Sequence, residues 1–458
     1  MGKIANFFKA LGNNLKEIGV TFAEGDWKTK VSFLIMGFGP LMRGFIARGL
    51  AFLAAEIAFI CYMVFVGAGY LAQFGTLGTE ETHMDPKTFL TVYGDNSFLI
   101  LLYGVLSILL ILVFIAVWRM NISENRKEEK FLAEGHKVPS VKKDLASLLD
   151  SNFHVTLLTL PTAGIAIFMI LPIIFMICVA FTNYDFNHQP PENLFDWVGF
   201  ENFKNLFSTS VGGFGTTFMK VLGWTLIWAF FATFLTYFGG MAFAILINKK
   251  GVKFKKLWRT ILVMTIAIPQ FVSLLYVAKM FTNDGIINGF LMDHNIISAP
   301  IKFWSNKNLA RVTIIIVNCW IGIPYTMLIS TGLLMNIPAD LYESARIDGA
   351  NAWQMFYKIT LPYMLFVTGP YLLTSFTGNL NNFNVIFLLS GGGPTSMSLA
   401  GSAGATDLLV TWLYKMTLNN KDYKMAAVIG IMVFVVTAVI SLGVYNLLPS
   451  VKDEEGFQ

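Results

Sequence analysis

The sequence predicts an all-α integral membrane protein with eight transmembrane helices and both termini on the cytoplasmic side. Three observations carry that class. Of 458 residues, 55% are hydrophobic and only 13% are charged, a balance outside the soluble range. Apolar runs of about 20 residues, the length that crosses the hydrocarbon, recur along the chain. Lysines and arginines gather in alternate connections, which is the charge rule for segments left on the cytoplasmic side.

Taken in order, the expected spans are residues 50–74, 98–118, 158–184, 221–248, 260–281, 312–335, 363–390 and 425–448. Ahead of the first lie Lys3, Lys9, Lys16, Lys28, Lys30, Arg43 and Arg48, on a weakly amphipathic stretch expected to rest on the cytoplasmic surface. After the second come Arg119, Arg126, Lys127, Lys130, Lys137, Lys142 and Lys143, and after the fourth Lys249, Lys250, Lys253, Lys255, Lys256 and Arg259. The connection 72–97 holds only Lys87. Connections 185–217 and 283–311 then face outward as short ordered caps. By region, 1–49 is a cytoplasmic amphipathic segment, 50–118 two accessory spans and 119–157 a cytoplasmic linker. Residues 158–448 form the transmembrane core, including a cytoplasmic loop at 337–362, and 449–458 form a tail.

Absences narrow the chemistry. Asn6 stands where N-myristoylation wants Ser or Thr, and no cleavable signal peptide is expected. Cys61, Cys178 and Cys319 all fall in apolar runs, so neither a disulfide framework nor a metal site is expected. The five histidines lack ligand spacing. No G-x-x-x-x-G-K-[ST] segment exists, so the chain carries no nucleotide loop of its own, and Gly391-Gly392-Gly393-Pro394 reads as a turn. Glu56 is the only acid inside a span, too little for a proton relay, and is expected to pair with a polar neighbour in the bundle. No catalytic constellation and no nucleic-acid patch is present.

Two spans carry unusual polarity. In the seventh, Ser375, Asn379 and Asn382 recur at i, i+4, i+7 and so share a face of a continuous helix. Amides offer donors and acceptors together, which suits the hydroxyls of a neutral sugar, with Phe376, Phe383 and Phe387 as aromatic surface. The same groups serve equally as interhelical hydrogen-bond glue, and the pattern leaves both readings open. In the sixth, Pro324 kinks the helix, Gly322 permits close approach and Tyr325 adds a hydroxyl. Pro161, Pro172, Pro269 and Pro370 receive no role.

Between them stands the polar segment LYESARIDGANAWQMFYKITLP, residues 341–362. Pro338 and Asp340 start a helix, Gly349 ends it, a second short helix covers 352–359, and Leu361-Pro362 turns the chain into span seven. Leu341, Ala345 and Gly349 make a stripe that narrows to small residues. It fits either a docking helix or a loop folded on its own bundle.

This segment resembles the EAA loop of binding-protein-dependent ABC transporter permeases: EAA, three residues, G, nine residues, I-x-L-P. Glu343, Ala345, Gly349, Ile359, Leu361 and Pro362 match at that spacing, and Ser344 replaces one small residue by another. The resemblance implies that the loop inserts into a cleft of an ATPase subunit, with Glu343 and Gly349 as contacts and Asp348 beside them. Spans three to eight look like the six-helix permease core. The phrases FTNYD, WVGFENF, NCWIGIPY, SFTGNLNNFNVIFLLSGGGP and TDLLVTWLYKMT are similar to the MalF-like branch for maltose and maltodextrin, and to its Gram-positive relatives for galactan oligosaccharides. By that resemblance Gly322, Tyr325, Ser375, Asn379 and Asn382 contact substrate, and Gly378 stands where the enteric permease has a sugar-stacking Phe. The enteric proteins also carry a large external domain where this chain has only 185–220. The implied partners are a second, MalG-like permease, an ABC ATPase dimer that binds ATP and magnesium, an extracellular lipid-anchored sugar-binding protein, an oligosaccharide and membrane lipid. This chain would hold no cofactor, would not be an enzyme, and would lie in a bacterial cytoplasmic membrane of Gram-positive type. The rival classes are an ion-coupled sugar carrier and a membrane transferase.

Overall fold

The structure, a computed structural model, describes residues 12, 16–147, 149–150, 153–208, 213–249 and 251–447. Residues 1–11 and 13–15 of the expected amphipathic N-terminal stretch, and the tail from 449, lie outside the described residues. The chain forms two compact units, Met1–Trp197 and Val198–Gln458. Among the described residues seven helices are long and apolar enough to cross a membrane, or eight if one bent helix pair is counted as a span.

In the first unit, short helices α1 (Trp27–Ser32) and α2 (Phe38–Arg43) precede two long ones, α3 (Ile46–Gln73) and α4 (Ser97–Ala133). A two-stranded antiparallel ribbon, β1 (His83–Met84) with β2 (Thr91–Val92), lies between α3 and α4. Helices α5 (Val141–Ser147) and α6 (Phe153–Val179) follow. At 37 residues α4 is about 55 Å long, well beyond the hydrocarbon. Arg119, Arg126, Lys127 and Lys130 therefore sit on a helical extension rather than in a loop. That extension holds α1 and α2 through buried amides: Asn121 Nδ2 donates to the Ser32 carbonyl at 2.9 Å, and Arg43 Nη1 donates to Asn125 Oδ1 at 2.8 Å. Glu56 has the polar neighbour that the sequence asks for, since Oε2 accepts the Met36 N–H at 2.8 Å.

The second unit runs α7 (Glu201–Phe207), α8 (Phe214–Asn248), α9 (Lys255–Ala267), α10 (Gln270–Met280), α11 (Ile286–Asp293) and α12 (Lys307–Leu334). Then come α13 (Ala339–Ile347), α14 (Ala352–Leu380), α15 (Phe383–Ser390), α16 (Leu409–Leu418) and α17 (Tyr423–Leu447). Helices α8 and α12 lie closely side by side, and glycine makes it possible. A Cβ on Gly322 would come 2.7 Å from Thr236 Cγ2, and one on Gly240 2.1 Å from Thr326 Oγ1. Thr326 Oγ1 donates to the Thr236 carbonyl at 2.7 Å across that seam. Trp228, Ala232, Leu274, Ile314 and Val385 fill the core around it.

Prolines account for where the sequence reading of the spans fails. Span five is not straight: α9 and α10 are bent by 93° at Ile268-Pro269. Pro269 has no N–H to continue the ladder, so a residue given no role makes the break. Pro362 does the reverse of what was expected. It does not turn the chain, because Phe356–Thr360 forms a π-turn in which the Leu361 N–H reaches back to the Phe356 carbonyl. This i→i+5 register opens the helix where the proline ring would meet the carbonyl of Lys358, and α14 runs through. The same device precedes Pro172, where Ala166–Ile170 is a π-turn and the Leu171 N–H reaches the Ala166 carbonyl.

Candidate functional site

The polar face predicted in span seven divides at Asn381. Helix α14 ends at Leu380, Asn381 leaves helical geometry at φ −107°, and Asn382 becomes the N-cap of α15, its Oδ1 accepting the Val385 N–H at 3.3 Å. Ser375, Asn379 and Asn382 therefore do not share one helix face, which corrects the continuous helix assumed from the sequence. Asn382 still reaches Asn379, because its Nδ2 donates to Asn379 Oδ1 at 3.2 Å. Asn379 Nδ2 donates in turn to Thr233 Oγ1 at 3.0 Å, and its carbonyl accepts Trp228 Nε1 at 3.1 Å. Part of this polarity is thus glue between α8 and α14. One amide proton and one lone pair on each side chain stay uncommitted.

A second group forms one and two turns earlier. Tyr371, one turn before Ser375 on α14, lies against the Ser375 hydroxyl, and Tyr325 of α12 is 53% exposed. Sequence reasoning missed Tyr371. Its signal was the i, i+4 spacing to Ser375. At Gly378 a Cβ would meet nothing within 4 Å, so open space lies beside it. Gly322 is committed to packing against Thr236. Phe383 and Phe387 stack at 4.8 Å with Tyr414 edge-on to both, whereas Phe376 lines a separate apolar groove with Phe234 and Ile440.

The hairpin of 337–362 is self-contained. Gly349 at φ +79° closes α13 with a Schellman pair: its N–H meets the Arg346 carbonyl at 3.0 Å, and the Ala350 N–H meets that of Ala345 at 2.8 Å. Two residues on, Asn351 and Gln354 form a capping box that starts α14. Tyr342 Oη, 2.8 Å from Thr360 Oγ1, ties the two helices together. No side chain of α13 is buried. Glu343, Ser344, Asp348 and Gly349 are exposed, Ala345, Ile359 and Leu361 are half-buried, and Pro362 is exposed. Beside them Leu341, Ile347 and Trp353 present apolar side chains that are 50%, 86% and 70% exposed.

Only Gly391–Pro394 of loop 391–408 was read, as a turn, and the loop carries the acid of a buried ion pair. Lys415 Nζ lies 2.7 Å from Asp407 Oδ2, and the Asp407 side chain is wholly buried. Burial pushes this carboxyl above the usual range, against the pull of Lys415, the Gly404 N–H and the Thr411 hydroxyl. Gly392, at φ +81°, lets the backbone pass where a Cβ would strike Asp407. The eight-residue spacing of Asp407 and Lys415 was the available sign.

The sequence matches the family model described as "Binding-protein-dependent transport system inner membrane component" over residues 238–453. It is 36% identical over 408 residues to the galactooligosaccharides transport system permease protein GanP of Bacillus subtilis (strain 168), covering 85% of this chain and 93% of that one. It is 33% identical over 437 residues to the maltodextrin transport system permease protein MalC of Streptococcus pneumoniae serotype 4, covering 93% and 97%. A crystal structure of a bacterial ABC transporter that imports the acidic polysaccharide alginate has a chain of the same fold, at TM-score 0.54 and 24% identity. The match covers 67% of this chain and 98% of that one. The chain belongs to the MalF-like sugar permeases of binding-protein-dependent ABC importers, inner-membrane components of bacteria that are not themselves enzymes.

Proposed function

We propose that this chain translocates an oligosaccharide, of the maltose and maltodextrin class, by alternating access driven by partner ATPases. The distribution of Lys and Arg supports cytoplasmic termini and a cytoplasmic hairpin at 337–362. Residues 50–118 then serve as accessory spans, 119–157 as a cytoplasmic linker and 158–448 as the permease core. A second permease of similar core completes the pathway, a sugar-binding protein delivers substrate outside, and an ATPase dimer binds ATP with magnesium inside. Closure of the ATPases moves α13 through Glu343, Asp348 and Gly349, with Ser344, Ala345, Ile359, Leu361 and Pro362 shaping the seat. Sugar hydroxyls then meet Tyr325, Ser375, Asn379 and Asn382, with Gly378 giving room and Gly322 seating α12 against α8.

One observation carries this reading. The exposed hairpin enters α14 without a break, and α14 bears Ser375, Gly378 and Asn379. Glu343→Lys leaves no buried group unpaired, so the protein should insert normally while sugar uptake by the assembled complex is lost. Wild-type uptake in that variant would remove the coupling role. A panel of maltodextrins and galactooligosaccharides, each with its binding protein, ranks substrates by stimulated ATPase activity. Similarity to both named relatives makes those two classes the ones to compare.

A further inference from the structure

A cavity of about 580 Å³ opens in the second unit where the first turns of α8 and α12 meet loop 394–407. Its size is that of a ligand site, and its chemistry is cationic: Lys220, Lys307 and Arg311 line it, with Ser305 and Ser396 among its hydroxyls. Arg311 is held in place. Its Cζ lies 4.1 Å from the centroid of the Trp224 ring, and its Nε donates to the Ala405 carbonyl at 2.9 Å. Trp224 is fixed in turn, since Nε1 donates to the Thr406 carbonyl at 3.1 Å. The loop that offers both carbonyls is anchored by the Asp407–Lys415 pair.

The terminal nitrogens of Arg311 have no acceptor, and none of the three cations has an acidic partner, among the described residues. Asp407 also lines the cavity, but its charge is met by Lys415. A guanidinium fixed by its ring contact and its Nε presents its fork to a carboxylate. In the orientation proposed above this is the outer end, where the charge rule makes cations scarce.

We propose that this cavity receives the carboxylates of an acidic peptide segment on the extracellular sugar-binding protein, a partner that rests on the proposed function. A neutral sugar would draw little from a cluster of cations and would gain from an aromatic face. The only aromatic side chain lining the cavity, among the described residues, is Trp224, which is 4% exposed with its ring face taken by Arg311. Acidic side chains need only the charges.

The test is capture of the sugar-binding protein by the reconstituted complex at low and high salt, with hexaglutamate peptide as competitor. Lys220→Glu with Lys307→Glu should weaken capture at low salt by about tenfold and flatten its salt dependence, because exposed charge pairs are screened. Lys220→Gln with Lys307→Gln should give an intermediate loss, and basal ATPase activity should stay unchanged in both. Hexaglutamate should compete on wild type and not on the Glu variant. Unchanged capture and salt dependence in the Glu variant would overturn the proposal. So would binding of digalacturonate to the complex without the binding protein, if the Glu variant abolished it, since the pocket would then take an acidic sugar. If no oligosaccharide stimulates the wild-type complex, the proposed function fails. Hexaglutamate binding that depends on Lys220 and Lys307 would still read the pocket.

Discussion

The hairpin of 337–362 and the loop of 391–408 are both irregular interruptions between apolar helices, and they are built in opposite ways. The hairpin satisfies its backbone locally, with a Schellman pair at Gly349 and a capping box at Asn351, and turns its side chains outward. The loop turns inward, burying Ala403, Thr406, Asp407 and Leu408 around one ion pair. A segment that holds its own shape can offer a surface. A segment whose shape depends on a side chain of the next helix offers rigidity. Substitutions in the hairpin should therefore remove transport with little loss of stability, and substitutions in the loop should remove both together.

The largest expected effect is in the loop. Lys415→Met leaves the Asp407 carboxylate buried and unpaired, which costs about 3–5 kcal/mol. Denaturant unfolding of the purified protein in detergent reads that loss, and Asp407→Asn added to Lys415→Met should recover much of it. A loss below about 1 kcal/mol would mean that the pair does not brace the loop. Gly392→Ala comes next, since its Cβ collides with Asp407 and φ +81° disfavours a side chain. Overpacking of this kind costs about 1–3 kcal/mol, with uptake falling in parallel. Smallest is Asn351→Ala in the hairpin, which removes one cap and about 1 kcal/mol. If its uptake falls no further than its stability, the contrast between the two segments dissolves.

The hairpin was legible because caps are local. Pro338 and Gly349 act over a few residues, so order along the chain is enough to find them, whereas the equally local Asn351–Gln354 capping box emerged only with the structure. The eight apolar spans were legible for the same reason, since length and composition define them. What stayed hidden depends on partners far away in sequence. Asn379 gives one amide hydrogen to Thr233, a residue 146 positions earlier, and no periodicity in span seven announces that. Prolines failed in both directions, because a ring alone does not decide whether a helix breaks: Pro161, Pro324 and Pro370 lie inside continuous helices. A π-turn carries the helix through Pro362, and no such turn precedes Pro269.

That register has a mechanical consequence. With the π-turn in place, Ala352–Leu380 is a single rod of 29 residues, about 43 Å from end to end. A helix of that length converts a small tilt at its foot into a displacement of several ångströms at its head, where Ser375 and Asn379 lie, less whatever bending Pro370 within it absorbs. The wide turn beneath Pro362 lies close to the foot, where bending wastes the least of the stroke.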